Sequence, residues 1–341
     1  MKHNFAKAFQ FVFFLSAGLV LLYFAFRGID LNELLLQIRH ADYRWVAFSA
    51  FFGALALVFR TFRWRLLIEP LDMNPKLINI LHAINIGYLA NFLFPRIGEI
   101  TRCAILNRTD RVPADKLFGT VVVERIFDLL MSLFMLCLIL LLRFDAVSSF
   151  ILEHIIHPVL NRFDGVWGIG LITVLIALLF FVLYIIFRKK LLKINLLRKV
   201  KDLLNGVVEG IKSVKRLRKF KFFMLLNVLV FGAYLMQTYV MFFALESASS
   251  LGLGDALFVL VLSAIAIILP VQGGIGAYHW IVSMGLTILG LSRADGMVYA
   301  TISHSVTSLL FILLGAMSVI FVFYRKALFP QNKQIASDSD Q

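Results

Sequence analysis

Long apolar windows separated by short charged segments dominate this chain. A helix needs about 20 apolar residues to cross the ~30 Å hydrocarbon core of a bilayer. Four windows of that order contain no Lys, Arg, Asp or Glu: 8–26, 166–187, 222–245 and 297–324. Two more are less regular, since 45–59 is short and 117–142 contains three charges. The pattern therefore predicts an all-α polytopic membrane protein with about six full crossings.

Two further apolar regions, 77–107 and 256–291, are each interrupted by proline and glycine. The first break contains Pro95 and Gly98, and the second runs from Pro270 to Gly276. Unwound backbone is tolerated at membrane depth only where it is buried in protein or lines a wet cavity. We interpret each region as a broken, re-entrant helical hairpin that returns to its own side. Ordinary full spans at both places are the alternative.

The distribution of charge predicts an orientation for this arrangement. Segments assigned to the cytoplasm carry a net +18 and those assigned outside carry −3, as the positive-inside rule requires. Both termini are then cytoplasmic, and the two hairpins enter from opposite sides. Paired interrupted helices of this kind point to a substrate site at the midplane of a transporter. The shared break pattern is short, so an inverted arrangement and a chain of eight or more straightforward spans both stay open.

Composition agrees with a membrane protein, because 60% hydrophobic and 16% charged residues lie outside the range of soluble domains. We expect a single integral membrane domain at 1–330 and a short polar cytoplasmic tail at 331–341. Two cysteines give no metal or disulfide pattern. The sequence has no nucleotide-binding loop, zinc spacing or nucleophile elbow. We therefore expect no cofactor and no soluble-type enzyme site.

The net charge of +14 is concentrated in 188–221, which holds 13 Lys and Arg against two acids. This segment lies between predicted spans, so it is first an orientation signal and not a nucleic-acid site. Apolar residues at helical spacing from 203 to 217 predict a basic amphipathic helix at the membrane surface. Binding of anionic headgroups is the alternative role. Residues 30–33 read as a capping box that opens a short surface helix.

Charged residues follow the first break directly. Arg96, Glu99 and Arg102 are spaced i, i+3, i+6, so they form one stripe if a helix resumes after Gly98. A helix N-terminus and the planar guanidinium fork both suit a phosphate group. Asn91, one turn before the proline, belongs to the same candidate site. The alternative is that Arg96 and Glu99 pair with each other and only stabilise the bend.

Three charges also interrupt the 117–142 window. Glu124 and Asp128 are four residues apart and share one helix face, while Arg125 lies about 100° around the helix. Charges at this depth must be paired or hydrated. We expect Arg96 and Arg102 as their partners. A structural ion network and a direct substrate role both stay open.

The second break supplies small and polar residues to the same candidate site: Gln272, Gly273, Gly274, Gly276 and His279. Glycines let backbone approach a ligand or another helix closely. His279 is a titratable group, so a proton role is one hypothesis and a satisfied hydrogen-bonding histidine is the other. His304, with serines around it, forms a polar patch that we interpret as a helix-packing element.

Four motifs in order resemble the flippase-like transmembrane family related to the membrane domain of lysylphosphatidylglycerol synthase. They are Arg60-x-x-Arg63-Trp64-x-Leu66-Leu67, Asn91-x-x-x-Pro95-Arg96-x-Gly98-Glu99-x-x-Arg102, Glu124-Arg125-x-x-Asp128 and Pro270-x-x-Gly273-Gly274-x-Gly276. One departure is His279, where the family often has Glu. No aminoacyl-transfer domain follows residue 330 in this sequence, so the resemblance implies the lipid-translocating half of the synthase.

The leading hypothesis is a bacterial inner-membrane lipid flippase or transporter with a central polar cavity. Its substrate would be a membrane phospholipid or lipid-linked molecule with an anionic, aminoacyl or glycosyl headgroup. Arg96 and Arg102 would hold the headgroup, with Glu99, Glu124 and Asp128 as counter-charges and the glycine-rich break as the opposite wall.

Two alternatives come from other functional classes. One is a membrane-embedded transferase that uses Glu124 or Asp128 as a base on a lipid-linked substrate. The other is a non-catalytic membrane partner of a glycosyltransferase or lipid synthase. Self-association into a homo-oligomer is compatible with each of these functions.

Overall fold

The computed structural model describes residues 18–94, 97–157, 219–269 and 271–328, together with residue 16. Every regular element in these ranges is helical. The helices are α1 (18–26), α2 (Leu31–His40), α3 (Tyr43–Ile68), α4 (Leu77–Leu93), α5 (Gly98–Asp110), α6 (Ala114–Leu142), α7 (Phe144–Ile151), α8 (Phe220–Phe242), α9 (Leu253–Ile268), α10 (Ala277–Ile288) and α11 (Arg293–Leu328). A π-helical turn, Leu152–Ile156, follows α7, and 3-10 turns lie at Glu69–Leu71, Glu246–Ala248 and Gln272–Gly274.

Four helices in these ranges are long and apolar enough to cross a membrane: α3 with its 3-10 extension, α6, α8 and α11. They correspond to four of the six predicted crossings. The predicted span 8–26 is described mainly from residue 18, while 166–187 and the basic amphipathic helix lie outside the described residues. The total of six therefore stays a prediction.

Helix α3 is longer than its apolar window because buried arginines continue it. The window 45–59 stops before Arg60, yet the helix runs from Tyr43 to Ile68. Arg60 and Arg63 are buried there. Helix α8 packs antiparallel along α3, since Ser49 Oγ donates to the Gln237 carbonyl at 3.0 Å and Arg63 reaches Asn227 at the other end.

Helices α4 and α5 form the first hairpin. Their 17 and 13 residues correspond to about 25 and 20 Å at ~1.5 Å per residue, each short of a ~30 Å hydrocarbon core. The Asp110 carboxylate, at the end of α5, accepts from the Lys76 backbone N–H at 3.1 Å and from Asn79 Nδ2 at 2.9 Å. The exit of the hairpin therefore meets its entrance. Pro95 and Arg96, in the break itself, lie outside the described residues.

Helices α9 and α10, of 16 and 12 residues, form the second interrupted pair. They pack side by side, and Gly285 lies against the Leu262 side chain with no room for a Cβ. The turn between them has Gly273 at φ +59° and Gly276 at φ +82°, which L side chains rarely adopt. Glycine therefore shapes this break, and Pro270 lies outside the described residues.

Helix α10 packs on the N-terminal half of α11 and runs antiparallel to it. The Tyr278 hydroxyl lies 3.1 Å from Ser303 Oγ. One and a half turns later, Ser283 lies against Gly296, where an added Cβ would stand 2.9 Å from the Ser283 carbonyl oxygen. The second break therefore faces the middle of α11, and the other end of α10 lies near the start of α11.

Helix α4 packs on the C-terminal half of the same helix, also antiparallel. His82 Nδ1 lies 2.9 Å from Ser318 Oγ, and the Tyr88 ring stacks on Phe311 with centroids 4.5 Å apart. The two hairpins therefore approach the middle of α11 from its opposite ends.

The tips of the two hairpins touch each other. A Cβ at Gly273 would stand 2.9 Å from the Phe92 ring, which places the end of α4 against the second break. Gly276 lies against α1, where a Cβ would stand 2.6 Å from the Leu22 amide nitrogen. The contact between the breaks that the sequence suggested is therefore present.

The N-terminus of the short helix α2 is capped by Asp30, which is one half of the predicted capping box. The Asp30 carboxylate accepts from the Asn32 and Glu33 backbone N–H groups at 2.8 and 3.4 Å. Leu34 is buried, while Leu31 and Leu35 are exposed. The apolar side chains of this helix are therefore only partly covered by the described part of the chain.

Candidate functional site

Seven charged side chains from α3, α5 and α6 form one arginine–carboxylate cluster beside the first break. Its members are Arg60, Arg63, Glu99, Arg102, Glu124, Arg125 and Asp128. Four guanidinium groups face three carboxylates, so the cluster has one formal positive charge in excess. Such a group of charges within membrane-spanning helices needs dense mutual pairing.

Glu124 lies at the centre and has 0% of its side chain exposed. Its Oε1 accepts from Arg63 Nη2 at 2.7 Å and from Arg60 Nη2 at 3.3 Å. Its Oε2 lies 2.8 Å from Arg102 Nη1. Both oxygens are therefore occupied by cations, as a buried carboxylate requires.

Asp128, one turn further along α6, repeats this arrangement. Its Oδ1 lies 2.8 Å from Arg63 Nη1. Its Oδ2 lies 2.6 Å from Arg60 Nη2 and 3.3 Å from Arg125 Nη1. Arg60 and Arg63 thus bridge the two carboxylates and join α3 to α6.

Arg60 and Arg63 are the principal partners that sequence reasoning missed, because Arg96 and Arg102 were expected in this role. Arg60 Nη1 also donates to the hydroxyls of Tyr88 at 2.6 Å and Tyr234 at 3.0 Å. These bonds tie α4 and α8 to the cluster. The sequence did contain a signal for this role. Two arginines at i and i+3 directly follow an apolar window, and pairing with carboxylates would allow the helix to continue there in a buried position.

Arg102 confirms one expected pairing and leaves part of its guanidinium unused. The side chain is 5% exposed, and the guanidinium lies over the Trp64 ring at 4.6 Å. Trp64 is held in turn by its Nε1, which donates to Thr120 Oγ1 at 2.9 Å. Arg102 Nε and Nη2 have no hydrogen-bond partner in the part of the chain that the structure describes. Buried unpaired donors are costly, so a water molecule or an anion bound at these atoms would be stabilising.

The cluster opens toward its rim at Glu99 and Arg125. Arg125 Nη2 lies 3.2 Å from Glu99 Oε1, and these side chains are 46% and 24% exposed respectively. Arg96 lies outside the described residues, so its role stays a prediction. Asn91 supports the break, since its Oδ1 accepts from the Gly98 backbone N–H at 2.7 Å.

A second polar group lies at the glycine-rich break. His304 Nε2 is 2.8 Å from the Gly273 carbonyl oxygen, and the rings of His279 and His304 have centroids 4.9 Å apart. Gln272 and Gly274 are buried in the same turn. His304 was expected only as a packing residue, and its contact with the break joins residues 31 positions apart.

The two polar groups are neighbours along α11 but remain distinct. Tyr88, bonded to Arg60, stacks on Phe311, and His304 lies two turns earlier on α11, about 10 Å away at ~1.5 Å per residue. The structure therefore brings Glu99, Arg102 and the α6 charges together. It places the glycine-rich break and His279 about two helical turns away from them, toward the N-terminus of α11.

Comparison with known proteins identifies the family. Residues 9–315 match the family described as the lysylphosphatidylglycerol synthase TM region. A UPF0104 membrane protein of Pyrococcus horikoshii is 24% identical over 322 residues, which cover 90% of this chain and 95% of that protein.

Two further relatives match shorter stretches. A UPF0104 membrane protein of Methanocaldococcus jannaschii is 27% identical over 109 residues, or 31% of this chain and 32% of that protein. The glycosyltransferase AglD of Haloferax volcanii is 30% identical over 103 residues, or 30% of this chain and 16% of that protein. No solved structure matches. With a family match that spans both hairpins and the charged cluster, the chain belongs to the family of the lysylphosphatidylglycerol synthase transmembrane region.

Proposed function

We propose that this protein is a lipid flippase of the bacterial inner membrane. It moves an anionic or modified lipid headgroup between leaflets through a central polar cavity, while the acyl chains stay in the bilayer. One observation carries the proposal. Arg102 is buried at the tip of a broken hairpin, in a cluster with an excess positive charge, and keeps two unpartnered donor atoms.

The geometry of the Arg102 guanidinium suits a phosphate group. Nη1 is already engaged by Glu124. Nε–H and Nη2–H lie on the opposite edge, where two parallel N–H bonds can hold two phosphate oxygens. A bound phosphate would satisfy these donors and neutralise the excess charge, so the site favours an anionic headgroup over a neutral one.

The rim extends this selection to modified headgroups. Among the described residues, Glu99 pairs with the half-exposed Arg125, and pairs of this kind are weak. A cationic aminoacyl group or a sugar hydroxyl can replace Arg125 at the Glu99 carboxylate without opening the buried part of the cluster. The proposed site therefore combines an anion pocket at Arg102 with an exchangeable acidic rim.

The arrangement of the hairpins supports translocation. Broken helices that meet near the midplane are typical of transporters, whose repeats rock around a central site. Here the two tips touch through Phe92 and Gly273, and their hairpins approach from opposite ends of α11. In this proposal the hairpins are an inverted pair and both termini are cytoplasmic. The tips separate first toward one side of the membrane and then toward the other, so that the headgroup is exposed to each leaflet in turn.

The carboxylates of the cluster disfavour the transferase alternative. Each oxygen of Glu124 and Asp128 lies within 3.3 Å of an arginine nitrogen. A general base needs an oxygen within reach of the substrate proton. Neither residue offers one in this arrangement.

The match to part of AglD supports a second candidate function. A membrane module shared with a glycosyltransferase can serve a separate transferase or lipid synthase by presenting a lipid-linked substrate. In that case the 188–221 segment and the cytoplasmic loops would contact the partner enzyme and anionic headgroups.

Reconstitution in liposomes with headgroup-labelled lipids tests both candidates. We expect the wild-type protein to move labelled phosphatidylglycerol or its aminoacyl or glycosyl derivatives faster than empty vesicles. Arg102→Lys keeps the charge but loses the fork, so transport should fall about tenfold, equivalent to ~1.4 kcal/mol. The matched control is Arg108→Gln on the same helix, which removes an exposed arginine over the Phe323 ring and should leave transport unchanged.

Three outcomes would redirect the proposal. Transport no faster than in empty vesicles, or a folded Arg102→Lys protein with wild-type transport, contradicts the flippase. A lipid product of altered mass supports a transferase. Activity that requires a co-purified glycosyltransferase or synthase supports the partner role.

A further inference from the structure

We propose that His279 and His304 form a proton-binding site that couples lipid movement to the proton gradient. This inference rests on the proposed flippase function and adds its energy source. The two imidazoles lie at the contact between the hairpin tips, with ring centroids 4.9 Å apart.

The contacts of His304 indicate which ring nitrogen carries the proton when the imidazole is neutral. Nε2 lies 2.8 Å from the Gly273 carbonyl oxygen, and a carbonyl can only accept, so Nε2 carries the proton. Nδ1 faces Ser308 Oγ at 3.5 Å, within reach of a hydroxyl donor. His304 therefore holds the second break in place through a neutral tautomer.

His279 supplies a buried ring nitrogen without a hydrogen-bond partner among the described residues. The residue is 6% exposed, and the nitrogen is Nδ1. A buried ring nitrogen without a partner costs free energy, so this atom makes no contribution to stabilising the fold. In the tautomer that carries its proton on Nε2, Nδ1 of His279 is the atom at which the pair can take up a proton.

Among the described residues, the surroundings of the pair contain no counter-charge for an imidazolium. Phe26 lies 6.0 Å from the His279 ring on the α1 side. Tyr278 lies 5.1 Å from the His304 ring, and its hydroxyl is close to Ser303. Tyr299 on α11 donates to the Thr238 carbonyl oxygen. Over the described ranges no carboxylate, lysine or arginine pairs with either histidine.

Proton uptake must therefore accompany opening of the tips. An unpaired imidazolium in the closed arrangement would be a buried charge, which is costly. Separation of the tips would admit more water to the pair, so in this proposal the proton binds the opened form preferentially. A ligand that prefers one form shifts the population toward it. Protonation on one side of the membrane and release on the other would then drive the cycle in one direction.

The path from the proton to the other hairpin is short. A charge on His279 acts on His304, whose Nε2–H holds the Gly273 carbonyl. Gly273 in turn lies against Phe92 at the end of α4. Three consecutive contacts therefore link the proton site to the tip of the hairpin that carries Arg102.

Proteoliposomes with an imposed pH gradient test the coupling. Lipid transfer and internal pH, followed with a trapped dye, are measured together. We expect a gradient to accelerate wild-type transfer, by up to about tenfold per pH unit for one coupled proton, with proton movement that depends on the lipid. His279→Asn should abolish both the acceleration by the gradient and the lipid-dependent proton movement.

The matched control is His82→Asn. His82 also packs on α11, through Ser318, but lies away from the hairpin tips, so its removal should leave coupling intact. If His279→Asn does not fold, His279→Gln and His304→Asn supply the same measurement. A gradient-independent wild type, or a folded His279 variant that remains coupled, overturns the proton site and leaves the flippase intact. A protein that moves no lipid overturns both.

Discussion

The Phe92 ring at the end of α4 lies directly against Gly273 in the second break, where an added Cβ would stand 2.9 Å from the ring. This contact joins two hairpins that are far apart in the sequence. It depends on a glycine that also has a positive φ of 59°. The closeness of the two tips is thus set by the absence of one side chain.

Gly273→Ala should destabilise the closed tips and change transport. The new Cβ meets the Phe92 ring, and the backbone angle adds about 1 kcal/mol or more of strain for a residue other than glycine. We expect a lower unfolding midpoint of the purified protein and a changed transport rate in liposomes.

Gly290→Ala separates the two causes of the Gly273→Ala effect, namely the contact with the Phe92 ring and the backbone strain. Gly290 has φ +93° but open space around its Cα, so the alanine there introduces only backbone strain. An effect of Gly273→Ala no larger than that of Gly290→Ala would show that the contact with Phe92 is unimportant. A smaller residue in place of Phe92 should partly rescue Gly273→Ala.

Glu124→Gln should cost far more stability than Glu99→Gln. Removing one partner of a buried ion pair typically costs about 3–5 kcal/mol because the remaining charges stay uncompensated. In the described part of the chain Glu99 pairs with the half-exposed Arg125, and such pairs contribute about 0.2–1 kcal/mol. Chemical denaturation in detergent measures both variants, and equal losses would contradict the central position of Glu124.

Gly98→Ala should loosen the first hairpin. A Cβ at Gly98 would collide with the Gly87 carbonyl oxygen, and overpacking of this kind costs about 1–3 kcal/mol. Gly119, on α6, has no heavy atom within 4 Å of its added Cβ, so Gly119→Ala should be neutral or stabilising by up to ~1 kcal/mol. A stabilising effect of Gly98→Ala on unfolding would contradict the close helix contact.

Single cysteines in a cysteine-free variant test the orientation. Ser250 lies in the segment assigned outside and Ser337 in the tail assigned to the cytoplasm. We expect a membrane-impermeant thiol reagent to label Ser250→Cys in intact cells and Ser337→Cys only after the membrane is opened. The reverse pattern would invert the proposed direction of both hairpins.

The hydrophobic pattern was sufficient to predict the main architecture of the described ranges. Long uncharged windows correspond to helices because a helix needs about 20 apolar residues to cross the hydrocarbon core of a bilayer. Proline and glycine marked the breaks because they disrupt helical backbone. The family resemblance, carried by four short motifs, is confirmed by the match over residues 9–315.

The partners within the site could not be predicted in the same way. Arg60 follows an apolar window and looks like the end of a span, yet it pairs with Asp128, 68 positions away. Likewise, nothing local assigns His304 to the Gly273 carbonyl. Such pairings depend on how helices pack, which leaves no periodic signal in one sequence.

The apolar part of α11 has a geometric consequence of its own. Its uncharged window, 297–324, measures about 42 Å at ~1.5 Å per residue, against a hydrocarbon thickness of ~30 Å. Such an excess is absorbed by inclination of the helix or by deformation of the surrounding lipid. A strongly tilted α11 would place one half of its length in each leaflet. Each hairpin, although too short to cross the bilayer, could then pack along one of these halves.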